Sequence, residues 1–328
     1  MTQNAPFLTI VNALLDESEP FPARYLHRFS DLDPIDLKKL MKAWPEVSLQ
    51  RKHTLLEDLE DLSETDTLTS FDDLARSLLA DIDPQVRARA IRLLWESEDK
   101  KLAPIYLDIL RNDEDVEVRA AAANALGQYV YLGELEKIPA ELFHEIEEQL
   151  LATINSKQET LVRRRALESL GYSEREDVIP LIESAYNNKD PKWIVSALFA
   201  MGRSCDERWK KHVLSQLRAP DEDIRVEAIH AAGEMELKAA RPILLNLLDD
   251  EEDLEVRHEL IWALSMIGGE GVRAKLEELF ELEEDDELAD FLEEALNTLS
   301  FTEDMSGFTL IDVDPEVDFI EEEPDEEE

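Results

Sequence analysis

The sequence predicts an all-α protein, an α-solenoid whose helical hairpins stack into a right-handed superhelix. Three observations predict it. Gly and Pro are sparse, 9 and 14 in 328 residues, while Leu, Ala and Glu are plentiful, a balance that favours helices. One 13-residue phrase recurs along the chain, the mark of a repeat architecture. Each copy is followed by a second apolar helical stretch, and no strand pattern intervenes.

The phrase reads "DPQVRARAIRLLW" from Asp83, "DVEVRAAAANALG" from Asp115, "ETLVRRRALESLG" from Glu159 and "DPKWIVSALFAMG" from Asp190. It continues as "DEDIRVEAIHAAG" from Asp221, "DLEVRHELIWALS" from Asp253 and "DDELADFLEEALN" from Asp285. Its fourth residues, Val86, Val118, Val162, Trp193, Ile224, Val256 and Leu288, are spaced by 32, 44, 31, 31, 32 and 32 residues. The one excess, of 12, falls around "YVYLGELEKIPAELFHE".

Each element follows from its residues. The leading acid suits an N-cap, accepting from the free amides of the first turn. Pro84 and Pro191 follow it at once, where a fixed φ fits the first helical position. Gly127, Gly171, Gly202 and Gly233 are placed to close four helices as C′ residues. Pro104, Pro180 and Pro242 fall 18 residues after their anchors, in the first turn of the second helix, whose apolar faces are "PIYLDIL", "PLIESAY" and "PILLNLL". Neither helix can bury its apolar face alone, so the pairs must stack. Residues 1–70 read as capping helices, degenerate repeats that include "DPIDLKKLMKAW" and "SLQRKHTLLEDLEDL"; residues 71–301 are the repeats; residues 302–328 form an acidic tail too charged to pack, expected to be disordered.

The pattern Asp-x-x-Val-Arg, then Ala three positions on, then Ala-Leu-Gly resembles the HEAT repeats, particularly the short phycobilisome-lyase-like subclass. The resemblance covers about residues 70–300. It implies a HEAT/armadillo-type solenoid and a ladder of acid–arginine pairs along it.

Charge bounds the partners. The net charge is −44; residues 276–328 hold 24 Asp or Glu and no Lys or Arg. Residues 157–218 are the exception, with 12 Lys or Arg against 9 Asp or Glu. A chain this acidic repels nucleic acid and anionic lipid, so neither is expected as a partner. No run approaches a membrane span, and a single cysteine, Cys205, points to a reducing, cytoplasmic setting. The N-terminal "MTQNAPFLTIVNALLDESEP" lacks the basic start of a secretion signal.

Candidate residues fall in two groups. One position after the anchor, Arg87, Arg119, Arg163, Arg225 and Arg257 lie at the edge of the buried face. A buried arginine must be paired, so the acids four positions earlier, Asp83, Asp115, Glu159, Asp221 and Asp253, are expected to bond them within or between repeats. The ladder lapses at Ile194 and Ala289. Two and six positions after the anchor lies a strip opposite the buried face: Ala88 and Arg92, Ala120 and Asn124, Arg164 and Glu168, Val195 and Phe199, Val226 and His230, His258 and Trp262, Asp290 and Glu294. The resemblance implies that this strip lines the concave side. Its apolar and aromatic middle predicts a partner-binding surface built on Arg164, Val195, Phe199, Val226, His230, His258 and Trp262.

Catalysis finds little footing. Deoxyhypusine hydroxylase, a HEAT-like enzyme, holds two irons with several His-Glu pairs; here His258-Glu259 is the one pair in register, so that di-iron set is missing. A single metal on His258, Glu259, Glu227 and His230 is the residual option. Cys205 has basic neighbours but no His partner, and no phosphate loop, zinc spacing or nucleophile elbow occurs. Arg164 and Arg165 are open to an anionic partner or to the chain's own acidic tail. The expectation is a non-enzymatic scaffold that binds a protein or peptide in its concave groove, without a cofactor. The alternative is a HEAT-like enzyme, a bilin lyase or isomerase or a metal-dependent oxidoreductase.

Overall fold

The computed structural model describes residues 6–283 and 285–309, all of them helix, turn or connection, with no strand among the described residues. Every copy of the phrase opens a helix. Asp83 caps α5 (Pro84–Arg92) by accepting from the Val86 amide at 3.1 Å, and Asp115 caps α7 (Val116–Glu134) through the Glu117 and Val118 amides at 2.9 and 3.2 Å. Asp190, Asp221 and Asp253 do the same for α11 (Pro191–Ser204), α13 (Glu222–Glu234) and α15 (Leu254–Ile267). Asp285 accepts from Leu288 at the head of α17 (Asp286–Thr309). Glu159, before α9 (Thr160–Leu170), makes no cap; its longer side chain is used elsewhere.

Companion helices alternate with these: α4 (Asp72–Leu78), α6 (Leu102–Asn112), α8 (Ala140–Ile154), α10 (Ile179–Tyr186), α12 (Lys210–Gln216), α14 (Arg241–Asp250) and α16 (Val272–Leu282). Pro104, Pro180 and Pro242 sit in the first turns of α6, α10 and α14. Of its two flanking companions, each motif helix packs more closely on the one before it, α6 on α7, α8 on α9, α10 on α11. The hairpin therefore begins one helix earlier than the phrase. Short turns such as 113–115 set that pairing, since a three-residue link forces antiparallel neighbours. The 12-residue excess lengthens α7 and α8 together, and Gly133 leaves room for the Phe143 ring that any Cβ would strike.

The chain divides into two compact units, Met1–Asp206 and Glu207–Glu328. In the first, motif helices α5, α7, α9 and α11 pack side by side in one layer, joined by α3 (Leu49–Thr65) on α5. In the second, α13, α15 and α17 do so. The anchors fill the core: Val86, Val118 and Val162 are fully buried, as are Val256 and Leu288; Trp193 is half-buried, with Arg163 5.4 Å above its ring. Ahead of the repeats, α1 (Phe7–Leu15) and α2 (Pro34–Ala43) precede α3. Lys52 of α3, only 5% exposed, lies 5.0 Å over the Trp44 ring and 3.7 Å from Asp81, which also accepts from the Trp44 indole at 2.7 Å.

The four repeat glycines are not C′ residues. Gly127, Gly202 and Gly233 are inside helices, and Gly171 keeps right-handed φ. At Gly127, Gly171 and Gly233 the need is space. A Cβ on Gly171 would stand 2.8 Å from the Ala200 Cα, and one on Gly233 would stand 3.0 Å from the Ala263 Cα, so each lets the next motif helix come down on bare backbone. At the far end, α17 runs past residue 301 to Thr309, and the Thr302 hydroxyl bonds the Ser265 carbonyl at 3.3 Å. The rest of the acidic segment, 310–328, lies outside the described residues, and with it the expected contact to 157–218.

Candidate functional site

The arginine ladder is a set of loop clamps. Arg87 donates to the carbonyls of Asp81 and Ile82 at 2.8 and 3.2 Å, Arg119 to those of Asp113 and Glu114 at 2.7 and 3.0 Å, and Arg225 to that of Ala219 at 3.0 Å. Each thus ties down the turn just ahead of its own helix. Arg163 donates to the Ile154 carbonyl at 2.7 Å. The acid partners differ from those expected. Asp83, Asp115, Asp221 and Asp253 spend their carboxylates as caps, and Asp83 also meets His53 at 2.8 Å. Arg87 instead forks onto Asp113, outside the predicted ladder, at 2.8 and 2.9 Å; Arg225 lies 3.5 Å from Glu222. Among the described residues, only Arg119–Glu159, at 2.6 Å between repeats, joins two ladder members. The buried Nε of Arg257 has no hydrogen-bond partner.

The expected exposed strip is largely covered. Ala88 and Ala120 are buried at 3% and 4%. Val195, Phe199, Val226, His230, His258 and Trp262 are half-buried. The cause is the close helix approach at Gly171 and Gly233, which brings strip side chains of neighbouring repeats onto one another. The His230 and Trp262 rings stack at 4.6 Å and 10°, His258 lies 4.7 Å from Phe291, and Phe199 lies beneath Arg203, 4.1 Å above it. Arg164 is not open to an anion: it bonds the Lys192 carbonyl at 3.2 Å and Ser196 Oγ at 3.3 Å, and burial lowers its pKa. Arg165 is engaged at 2.6 Å by Glu168, 1% exposed, which also accepts from Ser196 at 2.6 Å.

The residual metal set comes only partly together. His230 meets Glu259 at 2.8 Å and Glu234 at 3.5 Å, while His258 turns to Phe291. Burial opposes charge on His230, but its hydrogen bonds to the Glu234 and Glu259 carboxylates prevail and push its pKa up to about 10. The imidazole is a charged staple between α13 and α15. Among the described residues no group of three or more His, Cys, Asp or Glu is placed to hold a metal ion.

An open site exists elsewhere in the first unit. Between α3, α5 and α7 lies a groove of about 400 Å3, floored by Ile91, Ala121 and Ala125, with Asn124 and Arg92 on its wall. Trp95, 57% exposed, stands beside it. Glu60 of α3 holds Arg89 and also Arg92, the latter at 2.9 Å, fixing the wall between α3 and α5. The sequence carried a signal for it. Nine positions after the anchor stand Gly127, Gly171, Gly202 and Gly233, but Trp95 in the first repeat. Because α5 ends at Arg92, the chain has turned away before that position, so no neighbour covers the indole.

A family model for HEAT repeats matches residues 72–140 and 210–297. No curated protein matches the chain. Among solved structures, YibA of Escherichia coli is similar at 17% identity, over 87% of this chain and 98% of its own, with a TM-score of 0.42. Human deoxyhypusine hydroxylase is similar at 21% identity, over 90% and 96%, with a TM-score of 0.37. A chain from the structure of Kap95p with RanGDP is similar at 15% identity, over 88% of this chain but 40% of its own, with a TM-score of 0.37. At these identities and scores no activity passes from those proteins to this chain.

Proposed function

We propose that this chain, a HEAT-repeat protein, is a non-enzymatic scaffold that seats a protein or peptide partner on the motif helices of its first unit. The Asp-x-x-Val-Arg signature supports the short lyase-like subclass for its repeats. One observation carries the functional reading: an exposed tryptophan beside a groove floored by Ile91, Ala121 and Ala125. An exposed indole at a small apolar depression is the usual anchor of a binding surface. The −44 charge favours protein over nucleic acid as the occupant. No described helix is long and apolar enough to cross a membrane, and the exposed thiol of Cys205 supports a cytoplasmic setting.

The test is site-specific photo-crosslinking in cells. A photoreactive phenylalanine analogue replaces Trp95, Asn124 or, on the companion helix α6, Ile105, which is 42% exposed. The same discrete adduct at 95 and 124, absent at 105, is the expected result. Equal labelling at all three positions, or no adduct at 95 and 124, overturns the reading.

A further inference from the structure

Resting on the groove just described as a partner seat, we infer that its occupant is a cationic amphipathic segment of another protein, with Lys or Arg set among aliphatic residues. The floor of Ile91, Ala121 and Ala125 takes apolar side chains, and about 400 Å3 accommodates a few of them rather than a folded surface. The rim has the opposite character. Asp61 and Glu64 of α3 line the groove, and Glu96 follows Trp95 directly. All three are exposed, and none forms an ion pair among the described residues. The local cations are taken: Arg89 is held by Glu60 and by Glu57 at 3.2 Å, and Arg92 by Glu60. The groove therefore presents uncompensated negative charge around an apolar floor, and the open Trp95 face attracts an ammonium or guanidinium group.

The same charges exclude other occupants. The chain's own C-terminal segment, with 24 acids and no Lys or Arg over residues 276–328, is repelled, as are nucleic acid and anionic lipid. A partner segment with Lys or Arg beside Leu, Ile or Val satisfies floor, rim and indole together. Part of its attraction is long-ranged and fades as salt rises.

The inference is tested with the full chain and three labelled peptides: one alternating Lys with Leu, one with Gln at each Lys position, and one with Glu there. The expected result is that the Lys peptide alone binds, and more weakly as salt is raised. Trp95→Ala weakens it roughly tenfold and Asp61→Asn/Glu64→Gln weakens it about fivefold, while Trp95→Phe retains most of the affinity. Glu270→Gln/Glu281→Gln, exposed acids of the second unit, leaves it unchanged. If the Gln peptide binds as tightly as the Lys peptide and still needs Trp95, the groove stands and its preference for cations falls. If Trp95→Ala leaves the Lys peptide untouched, or if both acidic double variants weaken it equally, the attraction is the diffuse charge of the molecule and the inference is overturned. Failure of the Lys peptide to bind overturns it as well.

Discussion

Arg87 and Asp113 form a forked pair across the junction of two repeats, 2.8 and 2.9 Å at its prongs, with both side chains largely shielded from water. The same guanidinium holds two carbonyls of the turn behind it. Arg87→Met leaves Asp113 enclosed without its counter-charge, and the expected loss is about 3 kcal/mol in urea unfolding. Burial raises the Asp113 pKa but the Arg87 bond prevails and lowers it. Its stability is therefore present above the unfolded carboxylate value and lost as pH falls through the lower, folded one. Arg87→Met should abolish that acid-side decline.

Gly171 and Gly233 test the helix contacts. An added methyl group at either must push apart two helices that meet on backbone. Gly171→Ala and Gly233→Ala should each cost about 1–3 kcal/mol, although alanine is the better helix former. A neutral or stabilising effect in thermal unfolding would show that the contact yields.

His230 supplies a pH dependence. Its folded pKa, about 10, lies above the unfolded value of 6.5, so its contribution is complete below 6.5 and is lost as pH rises through about 10. His230→Gln should cost about 2 kcal/mol at pH 6. The gap between the two proteins should close steadily toward pH 10, as measured by chemical unfolding across that range.

Arg164 makes the reverse prediction. Its Nε is buried without a partner, and its charge is opposed by burial. Arg164→Met keeps the aliphatic stem and removes the unmet polar group, so stability should stay within about 0.5 kcal/mol of the parent or rise. A loss above 2 kcal/mol would mean that its bonds to Lys192 and Ser196 dominate.

Trp95→Ala separates folding from binding. With 57% of the residue in solvent, the change should alter stability by less than about 1 kcal/mol while removing the crosslinked partner.

The repeat was legible because anchors and caps are local chemistry. Val86, Val118 and Val256 are core, and Asp83, Asp115 and Asp253 cap, as their spacing predicts. Inter-repeat geometry was not. Glycine at a helix end looks alike whether it reverses the chain or admits a neighbour, so Gly171 read as a cap when it is a contact. That error carried into the site: with helices further apart, His230 and Trp262 would have stood open, as expected of the strip. Trp95 stays open for a different reason: α5 ends at Arg92, ahead of it, in the repeat where tryptophan stands in the glycine's place.

The extension of α7 and α8 bears on how such arrays change length. The Phe143 ring of α8 seats itself over Gly133 of α7, but Tyr131 packs 5.3 Å from the Tyr172 ring and Glu134 accepts from the Glu174 amide at 2.8 Å, so the added arm is sealed partly by the repeat that follows it. An insertion latched to its downstream neighbour cannot be gained or excised without matching changes there, which ties arm length to the sequence of the next repeat.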